Sequence, residues 1–531
     1  MMLASIEFDF LPMNPLKLSP RSAQSLGLAC FLAACLFAFT SAGTADRYHV
    51  VLLHTNDMHG QVQPRPATWI DRENPPGVGG LPRLGAMVNK LRAEAAKNGS
   101  GFLLVDGGDW FQGTPEGMLG GGLPFVEAMQ LLRYDAMAVG NHEFDHGVDA
   151  LATMISKSGV PALSANVFVA AGGERVDWCE PYRLLQVGEM RVAIVGLLTP
   201  STPSITHRDA SELHFQSPAD ALAQVKSELE SKVDWILPIT HLGVTGDRRL
   251  AKAHPDLGLI VGGHSHTYLK QGVEQGKTLI VQSGSKASAL GRVDLWFDSD
   301  TWELLESKSQ MVDLLGEPSA ENRNEPLDEL CAELVARSER EMNVVVGQLG
   351  QPLVRNFKRT QSSPGGNLIV DAMRSALDAD IAFQNRGGIR CDLKQGEVTR
   401  RGLFELLPFG NHLVLLEVSG ADLRACLRAS VEGTAHTGLE VSGMRVLWSQ
   451  EEGGYRLEGL EIAGEKLDPT RKYKLATNNF LAGGGDGYDI LKKQKPLRED
   501  PRMMRDMLEE RFRSADVVSL PADNRYSEVQ K

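Results

Sequence analysis

Cysteine is scarce in this sequence, with six residues in 531. Two of them lie in an apolar stretch near the N-terminus. The other four are far apart and form no CxxC pair: Cys179, Cys331, Cys391 and Cys426. This spacing argues against a metal site built from thiolates. It assigns no disulfide, and we expect at least two of these cysteines to be buried free thiols.

Blocks of like charge, internal repeats and low-complexity tracts are also missing from the sequence. The formal net charge is −13 but is spread along the chain, so we expect a soluble surface and no nucleic-acid partner. Nothing in the sequence indicates a stable protein partner. The hydrophobic fraction of 42% is that of a globular protein, and the length predicts about two to four domains.

The N-terminus carries an apolar stretch, Ser25–Phe39, that follows Lys17 and Arg21. Such a stretch is too short for a membrane-spanning helix, and basic residues followed by a short apolar segment are typical of a signal peptide. Small residues at Gly43–Ala45 provide a cleavage site before Asp46. We therefore predict a signal peptide over residues 1–45 and an exported protein of the periplasm or cell envelope.

A lipoprotein is the alternative. Leu32–Cys35 reads Leu-Ala-Ala-Cys, which is similar to a lipoprotein cleavage box and would leave a lipid anchor at Cys35. The apolar residues that follow, Leu36–Phe39, favour the cleaved signal peptide over this alternative.

The rest of the chain divides into two parts. Residues 46–315 alternate apolar runs with stretches of helical periodicity, which predicts an α/β layered domain. Residues 316–343 contain a polar, proline-bearing segment and an amphipathic helix, and are predicted to join two domains. A second α/β pattern covers residues 344–515, and the polar tail 516–531 is predicted to be loosely held. The fold class is thus α/β (α+β) with two domains.

Five short polar motifs each follow an apolar, strand-like run in the first predicted domain. In chain order they are His54–His59 (HTNDMH), Asp106–Asp109 (DGGD), Gly140–Asp145 (GNHEFD), Thr240-His241 and Gly262–His266 (GGHSH). Ligands at the carboxyl ends of strands are how α/β folds build active sites. We therefore expect these motifs to meet at one edge of the fold.

The motifs supply seven side chains that suit divalent metal ions: Asp57, His59, Asp109, Asn141, His241, His264 and His266. Carboxylate, imidazole and amide oxygen suit Zn²⁺, Mn²⁺, Fe²⁺ or Co²⁺ better than Ca²⁺. We predict two divalent ions (Zn, Mn, Co, Fe or Mg) that share a bridging carboxylate. Asp109 is the natural bridge.

The motif order Asp-x-His, Gly-Gly-Asp, Gly-Asn-His-Glu-x-x-Asp, His, Gly-His-Ser-His resembles that of the calcineurin-like metallophosphoesterases. More narrowly, nearly all of the mature chain resembles the bacterial and animal 5′-nucleotidase/UDP-sugar hydrolase family. The resemblance implies a four-layer β-sandwich flanked by helices, and a second α/β substrate-binding domain joined to it by a linker helix. It assigns one metal to Asp57, His59, Asp109 and His266, and the other to Asp109, Asn141, His241 and His264.

The resemblance also makes His142 and Asp145 a catalytic dyad. Attack on phosphorus places negative charge on the phosphoryl oxygens, which an imidazolium stabilises. A carboxylate fixes the tautomer and orientation of such a ring. The three-residue spacing of the pair allows contact within one helical turn.

Polar and aromatic loops of the second domain resemble the family's nucleoside-binding motifs. The residues that match are Arg359, Asn385, Arg390, Phe409, Asn411, Gly443, Phe480 and Asp486. Two loop aromatics can sandwich a flat base, and arginines can pair with phosphates. The family's Asn-Gly-Gly-Gly-Ile-Arg reads Asn-Arg-Gly-Gly-Ile-Arg here. Arg386 would then add a phosphate contact or narrow the substrate range.

Together these features predict an exported, metal-dependent hydrolase that releases phosphate from nucleoside 5′-monophosphates by attack of metal-activated water. Further expected substrates are UDP-sugars, nucleotide di- and triphosphates and 2′,3′-cyclic nucleotides. The alternative is a thiosulfohydrolase-type enzyme or a phosphodiesterase on the same two-metal scaffold.

Overall fold

The computed structural model describes residues 47–169, 173–317 and 319–529. The predicted signal peptide and Cys35 lie outside these ranges. Within them, no helix is both long and apolar enough to cross a membrane.

The first domain consists of two large sheets with helices on both outer faces. Its strands are β1 Arg47–Thr55, β2 Arg65–Pro66, β3 Gly77–Val78, β4 Gly101–Asp106, β5 Ala136–Ala138, β6 Ala162–Leu163, β7 Val167–Val169, β8 Tyr182–Val187, β9 Met190–Leu198, β10 Leu213–Phe215, β11 Trp235–His241, β12 Leu259–Val261, β13 Val273–Gln275, β14 Thr278–Val281, β15 Ala289–Asp298 and β16 Leu304–Asp313. Its helices are α1 Leu81–Lys97, α2 Pro115–Met118, α3 Leu123–Leu132, α4 Val148–Ser158, α5 Pro218–Glu228 and α6 Gly243–Ala253.

The two sheets have the strand orders β16-β15-β1-β4-β5-β6 and β13-β14-β12-β11-β9-β8. Apolar side chains from the facing sides of both sheets form one core between them. A second core lies between the first sheet and helices α1, α3 and α4, and a third lies between the second sheet and helices α5 and α6. This arrangement is the predicted four-layer sandwich flanked by helices. Its central strands β4, β9 and β11 read as near-continuous apolar runs because both of their faces are covered.

The strands that precede the five motifs are parallel neighbours. In the first sheet, β1 pairs with β4 and β4 pairs with β5, in parallel. In the second sheet, β11 pairs with β12, also in parallel. The carboxyl ends of parallel neighbours lie at the same edge of a sheet, which is why motifs more than a hundred residues apart come together.

The linker contains α7, Glu325–Met342, with Pro326 in its first turn. Proline is well tolerated there because the first helical N–H groups have no partner within the helix. Leu327, Cys331 and Leu334 of α7 are buried in the core that also contains residues of α1 and α3. The helix therefore packs as part of the first domain.

The second domain is a mixed α/β unit. Its strands are β17 Val345–Leu349, β18 Ile381–Asn385, β19 Gly396–Thr399, β20 His412–Ser419, β21 Leu439–Ser442, β22 Met444–Glu451, β23 Gly454–Ile462, β24 Glu465–Lys466, β25 Lys472–Asn478, β26 Pro496–Met503 and β27 Tyr526–Glu528. Its helices are α8 Pro364–Leu377, α9 Arg400–Leu406, α10 Gly420–Glu432, α11 Asn479–Ala482, α12 Asp489–Lys492 and α13 Met504–Arg513. A five-stranded sheet, β21-β18-β25-β20-β26, lies between two apolar cores.

The C-terminal tail differs from its prediction of being loosely held. Strand β27 pairs in parallel with β22, and Val518, Leu520 and Tyr526 are buried. Val518 and Leu520 belong to a run of only four residues, Val517–Leu520, and Tyr526 stands among polar residues, so the tail has no periodic pattern long enough to predict a strand.

All four cysteines of the described chain are free, and Cys179, Cys331 and Cys426 are buried. The prediction of buried free thiols is confirmed.

Candidate active site

Most of the predicted metal ligands have a left-handed backbone. Positive φ occurs at Asp57 (50°), His59 (48°), Asp109 (61°), His264 (77°) and His266 (51°). Side-chain-bearing residues adopt this conformation at a cost of about 1–3 kcal/mol each, and only where the surroundings enforce it. Here backbone hydrogen bonds enforce it, from Asp57 N to Gly108 O (2.8 Å) and from His59 N to Asp109 O (3.1 Å).

A first group of ligand atoms belongs to Asp57, His59, Asp109 and His266, and all lie within 4.8 Å of one another. The Nε2 atoms of His59 and His266 are 3.0 Å apart, and His266 Nε2 is 3.1 Å from Asp57 Oδ1. Burial, together with the neighbouring His266, holds the pKa of His59 well below its usual value. His59 is therefore a neutral imidazole, the form that binds metals.

A second group shares Asp109 with the first. His241 Nε2 lies 3.2 Å from Asp109 Oδ2, and His264 Nδ1 lies 3.0 Å from Asn141 Oδ1. Among the described residues, His241 Nε2 is buried and has no hydrogen-bond partner. A buried nitrogen 3.2 Å from a carboxylate, in poor geometry for a hydrogen bond, is placed to share a ligand with that carboxylate.

Two histidines are held in the tautomer that points Nε2 into the site. His59 Nδ1 donates to Gln112 O (2.8 Å) and His241 Nδ1 donates to Gly107 O (2.7 Å). Since a carbonyl only accepts, each Nδ1 carries a proton, and Nε2 is the nitrogen that a metal ion could bind. Burial works against protonation of His241, but the charge of Asp109 outweighs it and raises the pKa of the ring to about 10, so a metal ion at Nε2 would displace a proton. The set of carboxylate, imidazole and amide donors, with Asp109 common to both groups, fits divalent metal ions.

Glu143 holds two of the motif loops together, a role that the sequence did not reveal. Its carboxylate accepts hydrogen bonds from the backbone N–H groups of Asp109 (3.0 Å), Trp110 (2.7 Å) and Gly140 (2.7 Å). Burial, with the Asp109 charge, raises the pKa of Glu143 to about 7. The only signal in the sequence was its place inside the motif Asn-His-Glu.

The two residues of the predicted dyad are in contact. His142 Nδ1 lies 2.7 Å from Asp145 Oδ2, and Thr206 Oγ1 donates to the other oxygen, Asp145 Oδ1 (3.0 Å). Burial works against protonation of His142, but Asp145 and Asp109 outweigh it and raise the pKa of the ring. Thr206 was not predicted, because it is 61 residues from Asp145 in a segment without a motif.

The second domain reaches into this site through Phe409 and Arg390. The Phe409 ring stacks on His142, with centroids 5.6 Å apart and planes at 16°. The guanidinium carbon of Arg390 lies 5.6 Å from the centroid of the Phe409 ring. Asn411, two residues beyond Phe409, is half-buried.

A polar pocket centres on Asp486. Asn385 Nδ2 donates to Asp486 Oδ2 (2.8 Å) and Thr437 Oγ1 donates to the same oxygen (2.7 Å). Phe480 is half-buried, and its ring lies so close to Gly485 that a Cβ there would be 2.5 Å from it. The turn Gly485–Gly487 contacts the first-domain turn Thr202–Ser204.

Arg359, Arg386 and Gly443, which the sequence indicated as substrate contacts, lie outside these two groups of residues. The guanidinium of Arg359 donates to Ser430 O (2.8 Å) and Ala435 O (2.9 Å), at the end of α10. Arg386 is buried and donates to Leu439 O and Lys358 O, so it supports the loop that carries Arg359.

Gly443 follows β21, which pairs with β18. Asn385 lies at one end of this strand pair and Gly443 lies at the other end. Four residues of strand separate the two positions, about 13 Å at the usual rise per residue. The structure thus forms two groups, Arg390 with Phe409 beside His142, and Asn385 and Phe480 around Asp486, and Gly443 belongs to neither.

Comparisons with known proteins agree with this geometry. Residues 50–268 match the family model "Calcineurin-like phosphoesterase", and residues 345–493 match "5′-nucleotidase, C-terminal domain". The protein UshA of Escherichia coli K12 is 30% identical over 496 residues, which cover 84% of this chain and 87% of UshA.

The chain belongs to the 5′-nucleotidase family. Among solved structures, a 5′-nucleotidase precursor from Thermus thermophilus superposes with a TM-score of 0.79 at 29% identity, over 91% of this chain and 100% of that one. The sulfate thiohydrolase SoxB of Thermus thermophilus has a TM-score of 0.74 at 20% identity, over 91% and 97% of the two chains, and shows the shared fold alone.

Membership of the 5′-nucleotidase family confirms the predicted fold and the predicted enzyme class. The protein is a metal-dependent nucleotide phosphohydrolase of the metallophosphoesterase type, and its metallophosphoesterase fold implies divalent metal ions.

Proposed function

We propose that the enzyme releases phosphate from nucleoside 5′-monophosphates, with attack of water on phosphorus and departure of the 5′-oxygen. The stacking of Phe409 on His142 carries this proposal. It joins a second-domain aromatic ring to the predicted dyad, so a nucleoside in the Asp486 pocket would present its 5′-phosphate to the metal-ligand cluster.

The metal-ligand residues would hold two divalent ions, with Asp57, His59 and His266 on one, Asn141, His241 and His264 on the other, and Asp109 between them. Ions bound there supply positive charge to the phosphoryl oxygens and activate the attacking water.

His142 acts as a cationic hydrogen-bond donor from Nε2 to the phosphoryl group. Its raised pKa supports the imidazolium form, and Asp145 at Nδ1 keeps the ring oriented. Charge that develops on the phosphoryl oxygens in the transition state is stabilised by such a fixed donor.

Arg390 and the aromatic pair bind the substrate. Arg390 lies over Phe409, and the charges of Asp109 and Asp145 act on its guanidinium, which would bind a phosphate oxygen. Phe409 and Phe480 sandwich the base, while Asp486, Asn385 and Asn411 bind the ribose or base edge. Arg359 and Gly443 act indirectly, Arg359 by holding the end of α10.

Other reactions on the same scaffold compete with this proposal. A thiosulfohydrolase-type activity has the fold likeness to SoxB in its favour, and a phosphodiesterase activity would use the same metals. Phe409, Phe480 and Asp486 favour nucleotides. Hydrolysis of UDP-sugars, nucleotide di- and triphosphates or 2′,3′-cyclic nucleotides would extend the substrate range.

The location of the enzyme is part of the proposal. Cleavage before Asp46 would release a mature protein into the periplasm or cell envelope, and modification of Cys35 would instead give a lipoprotein. Mass spectrometry of the protein purified from its host distinguishes the two mature N-termini.

A substrate panel tests the activity. The mature chain, freed of metal with a chelator and reloaded with Mn²⁺, Co²⁺, Zn²⁺ or Mg²⁺, is assayed with AMP, UDP-glucose, 2′,3′-cyclic AMP, ATP and a thiosulfate ester. We expect AMP hydrolysis that is lost with the metal and returns on reloading. Activity that survives complete metal removal, or a preference for the thiosulfate ester, would refute the proposal.

A further inference from the structure

A strained loop of the first domain, Ser283–Ser288, lies directly against the metal-ligand cluster. Lys286 and Ala287 both have a left-handed backbone, with φ of 58° and 47°. Two consecutive residues with side chains rarely adopt this conformation, and each costs about 1–3 kcal/mol. Such strain persists where the surroundings fix it, and it clusters at functional sites.

The loop is fastened to the segment that carries Asp57. Asn56 Oδ1 accepts from Ser283 N (2.7 Å), and Asn56 Nδ2 donates to Gly284 O (2.7 Å). Lys286 N donates to Asp57 O (2.7 Å). The backbone of Lys286 is thereby held one hydrogen bond from a predicted metal ligand.

The side chain of Lys286 is half-buried. Burial, followed by the charges of Arg65 and Arg390, lowers the pKa of this lysine, and Glu405 is the acidic group that partly offsets them. In the part of the chain that the structure describes, no hydrogen bond or ion pair is formed by the ammonium of Lys286 or by the guanidinium groups of Arg65 and Arg390. The guanidinium groups of Arg65 and Arg390 lie over the rings of Trp69 and Phe409. Partly buried cations that lack a hydrogen-bonded anion are costly unless an anion joins them.

We propose that Lys286, with Arg390 and Arg65, forms an oxyanion subsite beside the metal-ligand cluster, and that its ammonium binds a phosphate oxygen. The proposal rests on the proposed function for the identity of that phosphate as part of a nucleotide. The phosphate is either the transferred phosphoryl group or a second phosphate linked to it. Metal ions on Asp57 and Asp109 would neutralise carboxylates that otherwise attract Arg390, so the subsite is strongest in the metal-loaded enzyme.

The test uses Lys286→Asn in the full mature chain. Asparagine tolerates the left-handed backbone and removes the charge, so we expect a folded variant with an unchanged melting temperature. Lys286→Arg retains the charge and serves as the conservative variant. Lys277→Met, at an exposed hairpin turn between β13 and β14, is the matched control for loss of one positive charge.

The first measurement is binding of inorganic phosphate to the metal-loaded chain by calorimetry, a readout independent of turnover. KM values for AMP and ADP follow. Weaker binding of inorganic phosphate and AMP by about tenfold or more would place Lys286 on the transferred phosphoryl group, on the scale of a charge-assisted hydrogen bond. A rise in KM that is confined to ADP would place Lys286 on the second phosphate.

The subsite is refuted if, in a folded Lys286→Asn, the affinity for inorganic phosphate and the KM values for AMP and ADP all stay within about twofold of wild type. This conclusion does not depend on the activity of the wild type. If wild-type protein hydrolyses no nucleotide but its phosphate binding still depends on Lys286, the proposed function fails and the subsite stands. Should Lys286→Asn not fold, Lys286→Met is measured in the same way, and wild-type phosphate affinity in Lys286→Met refutes the subsite.

Discussion

The metal-ligand end and the nucleoside end of the site differ in backbone conformation and in how their residues are held. At the metal-ligand end, strained residues at the tips of parallel strands are held by backbone hydrogen bonds and by Glu143. At the nucleoside end, half-buried Phe409 lies on a loop and half-buried Phe480 lies in the short helix α11, and Asp486 is the one side-chain-bearing residue of the proposed nucleoside pocket with positive φ. The chemistry requires fixed distances between charges, whereas recognition of a base requires a surface that can adjust.

Removing the shared carboxylate gives the largest expected effect. Asp109→Asn retains the shape of the side chain but removes the charge between the two ligand groups. We expect loss of bound metal and a fall in kcat/KM by several orders of magnitude, since both ions depend on this residue. Elemental analysis and AMP kinetics measure the two effects.

Asp149→Asn, at an exposed position in the first turn of α4, is the matched control and should behave as wild type. Full metal content and full activity in Asp109→Asn would show that the two metal ions do not depend on a shared carboxylate.

The two phenylalanines separate chemistry from recognition. Phe480→Ala should raise KM for AMP by about tenfold, the scale of base stacking, and leave p-nitrophenyl phosphate unaffected. Phe409→Ala should impair both substrates, because Phe409 also packs on His142. Equal effects of Phe480→Ala on the two substrates would count against a base sandwich.

A substitution at Thr206 tests whether the hydrogen bond that holds Asp145 contributes to catalysis. Thr206→Val removes the hydrogen bond to Asp145 and should lower kcat about tenfold with little change in KM, as expected for a bond to a charged group. It should also shift the pH profile, because Asp145 raises the pKa of His142.

Thr206→Ser retains the hydroxyl and is the control that should restore both kcat and the pH profile. A merely structural role would change the melting temperature of Thr206→Val and leave the pH profile in place.

A polar cluster between the two domains gives the smallest expected effect on catalysis. Glu116 Oε1 lies 2.6 Å from both Arg401 Nη1 and Ser338 Oγ. Glu116→Gln should destabilise the protein by about 1–3 kcal/mol and change kcat/KM little. Thermal unfolding and AMP kinetics check this.

The same cluster gives a pH dependence with a definite sign. Burial raises the pKa of Glu116, but the hydrogen bond from Ser338 and the charge of Arg401 outweigh it and lower the pKa. The stability that the ionised carboxylate contributes is complete above its unfolded pKa and is lost as the pH falls through the lower folded value. Wild type and Glu116→Gln should therefore converge in acid, and a constant difference down to low pH would contradict the role of the charge.

The metal-ligand end was largely predictable from the sequence, because residues at strand ends are adjacent in short motifs. The residues that hold this end in place, Glu143 and Thr206, were not predictable. They act through hydrogen bonds to groups that no sequence spacing identifies. Arg359 and Arg386 have the residue type of phosphate ligands, yet their guanidinium groups bind carbonyl oxygens within the second domain. Residue type predicts charge, but only packing decides where that charge is directed.

Helix α7 also decides where the molecule can be divided. The helix covers α1 and α3 and buries Leu327, Cys331 and Leu334 against them. A fragment that ends before α7 would expose this apolar strip to water and would tend to aggregate. A metal-binding half of the enzyme that folds by itself must therefore extend through Met342, so that the break falls in the short segment before β17.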